Sequence, residues 1–316
     1  MIKILFNTLL GLFLIFIWSR FVNLGEIFKT ISKLQLIYLI PVFLFMLLSP
    51  IIRAIRLKIF LSEIKKISLK DLIFLNGVAQ MLNFFIPIRA GEIAKGVYLN
   101  TQYDLPLGKS VVWIFIDRFV DFLVVLILAG FFLKIPYFAL ILLLLAVYLA
   151  VFQINLAKKI VKFLRPLLIE KHIKIYFERF SHFILDSFVI LKRHPKDLGL
   201  MGILTVLGYG ADGGIWYFTF RALEVNQDFL KMYLGQLLSA LTYLIPAAPG
   251  YVGSAEASGT LILSGVFGIE VNLASAMIVL FHITTAVFMI ILGLISIFNL
   301  KLDMGLIFRK VLRKGD

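Results

Sequence analysis

The residues able to do chemistry in this chain are ionisable groups set inside apolar sequence. The stretch Val112 to Phe122 carries Asp117, Arg118 and Asp121 in an otherwise apolar run. On a helix, Asp117 and Asp121 (i, i+4) share a face and Arg118 reaches Asp121 (i, i+3). Two acids against one base leave a demand for another cation. Exposing such a triad to lipid is costly, so it is expected to face a bundle interior or a wet cavity. The plain alternative is structural glue between helices.

Two further groups sit at apparent breaks. Arg89 and Glu92 flank Gly91, just after Pro87, and Lys95 follows one turn beyond Glu92. Arg89 suits Asp117 or Asp121 as a partner. It suits equally an anionic headgroup held with the free N–H groups that open a helix. Glu92 at the same helix start also fits simple capping. In the second half, Pro246, Pro249, Gly250 and Gly253 precede Glu256. A carboxylate just past such a break is a candidate for ligand, proton or cation contact, with helix capping as the alternative. Asp212 lies between Gly210 and Gly214, a small-xxx-small pair suited to close helix contact, and is expected to hydrogen-bond across it. His282 reads first as a packed polar residue and second as a proton carrier.

Other chemistries have no residues to carry them. There is no cysteine, and the four histidines form no His-Glu-x-x-His motif, so no metal site is expected. A Gly-x-Ser-x-Gly elbow, a phosphate-binding loop and a dinucleotide fingerprint are all missing. Neither an enzyme nor a cofactor is expected.

Composition says where these groups must be held. Charged residues make up 16% of 316 positions, against about 25% in soluble proteins, and mean hydropathy is +1.00. The net charge of +14 does not imply nucleic acid. The basic residues fall at the ends of apolar runs, where positive-inside bias and anionic lipids explain them. The chain is read as all-α, a polytopic protein of the inner, cytoplasmic membrane. Six full spans or more are expected, at about 4–19, 34–52, 111–133, 136–152, 198–220 and 271–298. The first is a retained span and not a signal peptide, because Trp18-Ser19-Arg20 resembles an interfacial anchor.

Charge sets the orientation. Segments 53–70, 153–197 and 301–316 are basic and should be cytoplasmic, so both termini are cytoplasmic and the 221–228 link lies outside. Residues 158–190 form a basic amphipathic stretch against the cytoplasmic interface, within a linker over 153–197.

The runs 72–87 and 229–246 each end at proline, with glycine four positions later and an acid beyond. Residues 72–86 as a helix rise about 22 Å, short of a hydrocarbon core near 30 Å. A re-entrant hairpin fits, with its broken backbone facing protein or water. The flanking spans make two units, about 34–133 and 198–298, and loop charge inverts one relative to the other. Inverted repeats with broken helices are a recurring transporter plan. One membrane domain over 1–300 with a short basic tail follows. Glu256 is expected near Arg89 or Arg118, or across one headgroup-sized cavity from them.

The motifs Asn83-(x)3-Pro87-x-Arg89-x-Gly91-Glu92, Asp117-Arg118-(x)2-Asp121 and Pro246-(x)2-Pro249-Gly250-(x)2-Gly253-(x)2-Glu256 resemble the flippase-like membrane domain of lysylphosphatidylglycerol synthases and its stand-alone relatives. The resemblance covers roughly residues 5–300. It implies movement of a lipid between leaflets and highlights Arg89, Glu92, Asp117, Arg118, Asp121 and Glu256. With 16 residues after position 300, synthesis of the aminoacylated lipid is not expected. Lys95 and His282 stand where relatives commonly have Arg, which keeps positive charge and leaves headgroup preference open.

The leading expectation is translocation of a phospholipid or a lipid-linked phosphate, with Arg89, Arg118 and Lys95 on phosphate. Asp117, Asp121 and Glu256 would orient these cations or couple to protons or other cations. The alternative is a small-ion or solute transporter; a membrane enzyme acting on a lipid-linked sugar ranks below it. A homo-oligomer is compatible with all of these.

Overall fold

The computed structural model describes residues 2–62, 65–86, 90–132, 136–138, 153–167, 195–242 and 248–302, with isolated positions between 141 and 189 and at 305. Every regular element among them is helical. They fall into two compact units, residues 1–104 with 206–316, and residues 105–205.

In the first unit, α1 (Ile2–Phe21) is apolar from Leu9 to Trp18 and carries Arg20 in its last turn. The chain then bends by 88° into α2 (Leu24–Ile31). Asn23 makes the bend, because its side chain accepts the N–H of Glu26 and starts a new helix. After a 3₁₀ turn at Leu36–Tyr38, α3 (Leu39–Ser62) runs through an internal Pro50. Next, α4 (Leu69–Phe85) begins at Ser68, whose hydroxyl accepts the N–H of Asp71 at 3.0 Å. After the break, α5 (Ala90–Tyr103) follows.

The second unit holds α6 (Leu107–Phe132) and α7 (Ile154–Leu164). Trp113, Ile116, Val120 and Val125 of α6 are buried. In α7, Lys158 and Lys159 are exposed. Most of the basic stretch expected as a linker beyond α7 lies outside the described residues, so its amphipathic reading remains a proposal.

α8 (Pro195–Ala222) crosses the division and leads back to the first unit. There α9 (Phe229–Thr242) runs to the second break. A 3₁₀ turn at Pro249–Tyr251, the short α10 (Ser254–Thr260) and a π turn at Leu261–Val266 follow. Finally α11 (Val271–Leu300) starts on Glu270, whose carboxylate accepts the N–H groups of Asn272 and Leu273.

Hydrogen bonds gather one set of ends in the first unit. The Asn23 N–H donates to Asn272 Oδ1 at 2.8 Å, and the Gln35 N–H to the Ala222 carbonyl at 2.9 Å. The Gln35 side-chain amide donates to Glu224 at 2.6 Å. α3 leaves this end and carries the chain about 36 Å to the other, where α4 begins. α9 begins at the first end, just after Glu224. The two broken runs therefore enter the unit from opposite ends. Small residues let them in: a Cβ on Gly77 of α4 would meet Ser296 of α11 at 2.3 Å, and one on Gly293 would meet Met81 at the same distance.

Six or more full spans are not found. Among the described residues three helical stretches are long and apolar enough to cross a membrane, Leu36–Ser62, Lys196–Ala222 and Val271–Leu300, or four if the bent α1–α2 pair counts as one. The helix covering 111–133 has the length, but Asp117, Arg118 and Asp121 put three charges inside it, too many for a lipid-facing span. The run 136–152 lies almost wholly outside the described residues. In the expected count the apolar length of 111–133 outweighed the three charges inside it.

Candidate functional site

The first break is closed on itself by a polar side chain. Asn83, in the last turn of α4, accepts the Gly91 N–H at 2.8 Å and so satisfies a donor that opens α5. Glycine is needed at position 91 because a Cβ there would stand 1.9 Å from the Ala79 carbonyl oxygen. α4 and α5 thus run back along each other. At their far ends the Tyr103 hydroxyl donates to Asp71 at 2.8 Å. Burial first, and then Asp71, hold the Tyr103 phenol well above its ordinary range, so it stays a donor. Glu92 is buried and lies 3.6 Å from Lys95. Pro87 and Arg89 lie outside the described residues, as does Pro246 in the second half.

The second break is built on left-handed backbone. Gly250 (φ 69°) and Gly253 (φ 81°) adopt it without a side-chain penalty, whereas Tyr251 between them (φ 57°) does so at a cost in strain. The Gly253 N–H donates to Glu256 Oε2 at 2.7 Å, and the Ala257 N–H to the Gly253 carbonyl at 3.0 Å. Glu256 therefore caps α10. It also does more. Its other oxygen, Oε1, contacts His282 Nδ1 of α11, and His282 Nε2 lies 2.6 Å from the Gly250 carbonyl oxygen. A carbonyl can only accept, so Nε2 carries a proton and donates it. One imidazole ties α11, the break and the half-helix together.

The two breaks meet. Phe84, in the last turn of α4, sets its ring against His282 with centroids 5.7 Å apart, and against Tyr251 at 6.1 Å. Helix α1 closes the other side, since a Cβ on Gly253 would stand 2.0 Å from the Gly11 carbonyl oxygen. Trp18 of α1 donates its indole N–H to Thr260 at 3.2 Å, and Thr260 contacts Ser275 of α11 at 3.1 Å.

The family model for the lysylphosphatidylglycerol synthase TM region matches residues 2–293. The chain belongs to that family. Comparison with curated proteins and with solved structures returned no match. Membership in the lysylphosphatidylglycerol synthase TM family, with the all-α polytopic fold, gives the chain a general role in membrane transport among membrane lipids, as a multi-pass protein of the inner membrane.

The remaining candidates of this family member have charged partners close by. Asp117, Arg118 and Asp121 belong to the second unit, where Arg118 lies 3.6 Å from the buried Asp121. Asp212 of α8 takes Arg53 of α3 at 3.1 Å. The close helix approaches beside it are made by Gly213 on the Tyr233 backbone and Gly214 on Phe45, each leaving a Cβ 2.8 Å from its neighbour. Among the described residues no group of three His, Asp or Glu is arranged for a metal.

Five participants have roles the sequence reading does not assign them. Arg53 was counted as a loop charge, yet apolar positions Ile55, Leu57, Phe60 and Leu61 show the helix continuing past it. The same holds for Arg56, which is buried, and for Lys58. Lys58 lines a cavity of about 370 Å³ at the α3–α4 turn with Lys65, Lys66, Ser62 and Ser68. Phe84 and Gly11 had no signal beyond their place near a break or in an apolar helix.

Proposed function

We propose that this protein moves a phosphate-bearing lipid between the leaflets of the cytoplasmic membrane. The observation that carries the reading is the contact of Phe84 with His282 and Tyr251, which joins two broken helices entering from opposite ends of one unit. Broken helices that meet at depth are where transporters of inverted-repeat design place their sites. Each break gives backbone groups that need protein, water or a polar ligand as partner.

In this reading the α4–α5 hairpin is re-entrant from the cytoplasmic side and the α9–α10 hairpin from outside, with both termini cytoplasmic. Arg89 and Lys95 engage phosphate. Glu92 orients Lys95, and Glu256 orients His282. The lysine-lined cavity at the α3–α4 turn draws anionic headgroups from the cytoplasmic leaflet by charge.

Reconstitution into liposomes carrying headgroup-labelled phospholipids tests the proposal. The labelled lipid should exchange between leaflets faster than in protein-free vesicles, with anionic headgroups preferred. Ion or solute flux without lipid movement for any headgroup would replace it with the solute-transporter reading.

A further inference from the structure

We propose that the Glu256–His282 pair takes up one proton for each anionic phosphodiester headgroup that enters the site. This rests on the lipid-translocation reading and adds its coupling ion.

The geometry fixes the proton count. His282 Nε2 donates to the Gly250 carbonyl at 2.6 Å, so that proton stays on the ring. Nδ1 faces Glu256 Oε1 and shares one proton with it. Whether that proton sits on nitrogen or oxygen, the pair is neutral as a unit. Glu256 Oε2 is held by the Gly253 N–H, so neither partner can turn away without releasing the break.

An arriving phosphodiester carries one negative charge and needs a donor. The imidazolium can supply Nδ1–H only if Glu256 gives it up, which leaves a buried carboxylate uncompensated, at a high energetic cost. A proton from the adjacent water phase, forming an O–H bond on Glu256, removes that cost. The loaded site then holds a neutral carboxylic acid, an imidazolium and one phosphodiester anion, with charges that sum to zero.

The surroundings leave this pair to itself among the described residues. The elements packed on it are α1, α4, α9, α10 and α11, and α9 brings Lys231 and the Tyr233 phenol in its first turns. α1 has Arg20 at its far end, over the Phe16 ring. α4 has Lys70 and Asp71 at the end opposite Phe84. α10 contributes Glu256 alone and α11 His282 alone, while the break adds the Tyr251 phenol.

The test uses the purified full chain in detergent, in weakly buffered solution near neutral pH with an indicator dye. A short-chain phosphatidylglycerol should bind with uptake of about one proton per lipid; a short-chain diacylglycerol, which lacks the phosphodiester, and inorganic phosphate should give none. The E256Q/H282Q double variant should show no uptake with the anionic lipid, and H282Q should bind it at least about tenfold more weakly. Thermal scans report whether each variant is folded; if neither is, the wild-type contrast between the ligands decides. Lipid binding without proton uptake, or unchanged uptake in the folded double variant, overturns the coupling and leaves the lipid reading standing. Failure of every lipid to bind overturns both. Uptake driven by inorganic phosphate and not by lipid overturns the assignment of a lipid headgroup.

Discussion

The ring of Phe84 stands edge-on to the imidazole of His282, at 75° between planes, at one of the points where the first broken helix packs on the last long one. The contact holds the imidazole from the side while Glu256 and Gly250 hold it from its two nitrogens. Phe84→Ala should therefore destabilise the protein by about 3 kcal/mol and slow lipid exchange. Phe84→Leu should recover most of the stability but less of the exchange. Thermal melts and liposome exchange at matched protein amounts separate the two effects, and equal recovery of both would make the ring mere filler.

The Tyr103–Asp71 hydrogen bond places the end of α5 beside the start of α4. Single cysteines at Ser68 and Gln102 should thus be labelled from the same, cytoplasmic side by a membrane-impermeant reagent. Labelling of one from outside only would turn the hairpin into a span. No native cysteine has to be removed first.

Gly253→Ala should be among the most damaging small substitutions in the chain. The added methyl meets the Gly11 backbone at 2.0 Å, and the left-handed φ disfavours any side chain. Gly199→Ala meets nothing within 4 Å on a helix and should stabilise by up to about 1 kcal/mol. Melting temperatures of the two variants should move in opposite directions.

Arg53 and Asp212 join α3 to α8 at a partly exposed site, with side chains 31% and 18% accessible. A double-mutant cycle using Arg53→Gln and Asp212→Asn should give a coupling of about 1 kcal/mol. A value near zero would mean that the helices are held by glycine packing alone.

Arg89→Gln should reduce exchange more than Lys58→Gln. Lys58 is exposed and shares its cavity with two other lysines, so its loss is cushioned. Equal and mild effects would make Arg89 a topology signal only.

Local rules were enough for part of this structure. Proline and glycine mark both breaks because they remove a donor or require unusual dihedrals, and those constraints are visible residue by residue. Family membership followed from the motifs around them. Spans were overcounted because the apolar length of 111–133 was given more weight than the three charges inside it. Arg53, Arg56 and Lys58 were placed in a loop because charge was given more weight than the apolar period running to Leu61. The partner of Glu256 was not legible at all. Arg89 and Arg118 were expected; His282 is the partner found, 26 positions on. Pairing across a turn depends on how far each helix is rotated about its axis, and neighbouring residues do not encode that.

The packing of α1 on the second break also bears on how the protein is made. Trp18 and Thr260 are separated by 242 positions, so α1 is synthesised well before the half-helix that encloses it. Contacts of such long range close slowly. The seating of the Gly253 turn on the Gly11 backbone therefore comes late in folding, and the candidate site is sealed only after the elements between them are in place.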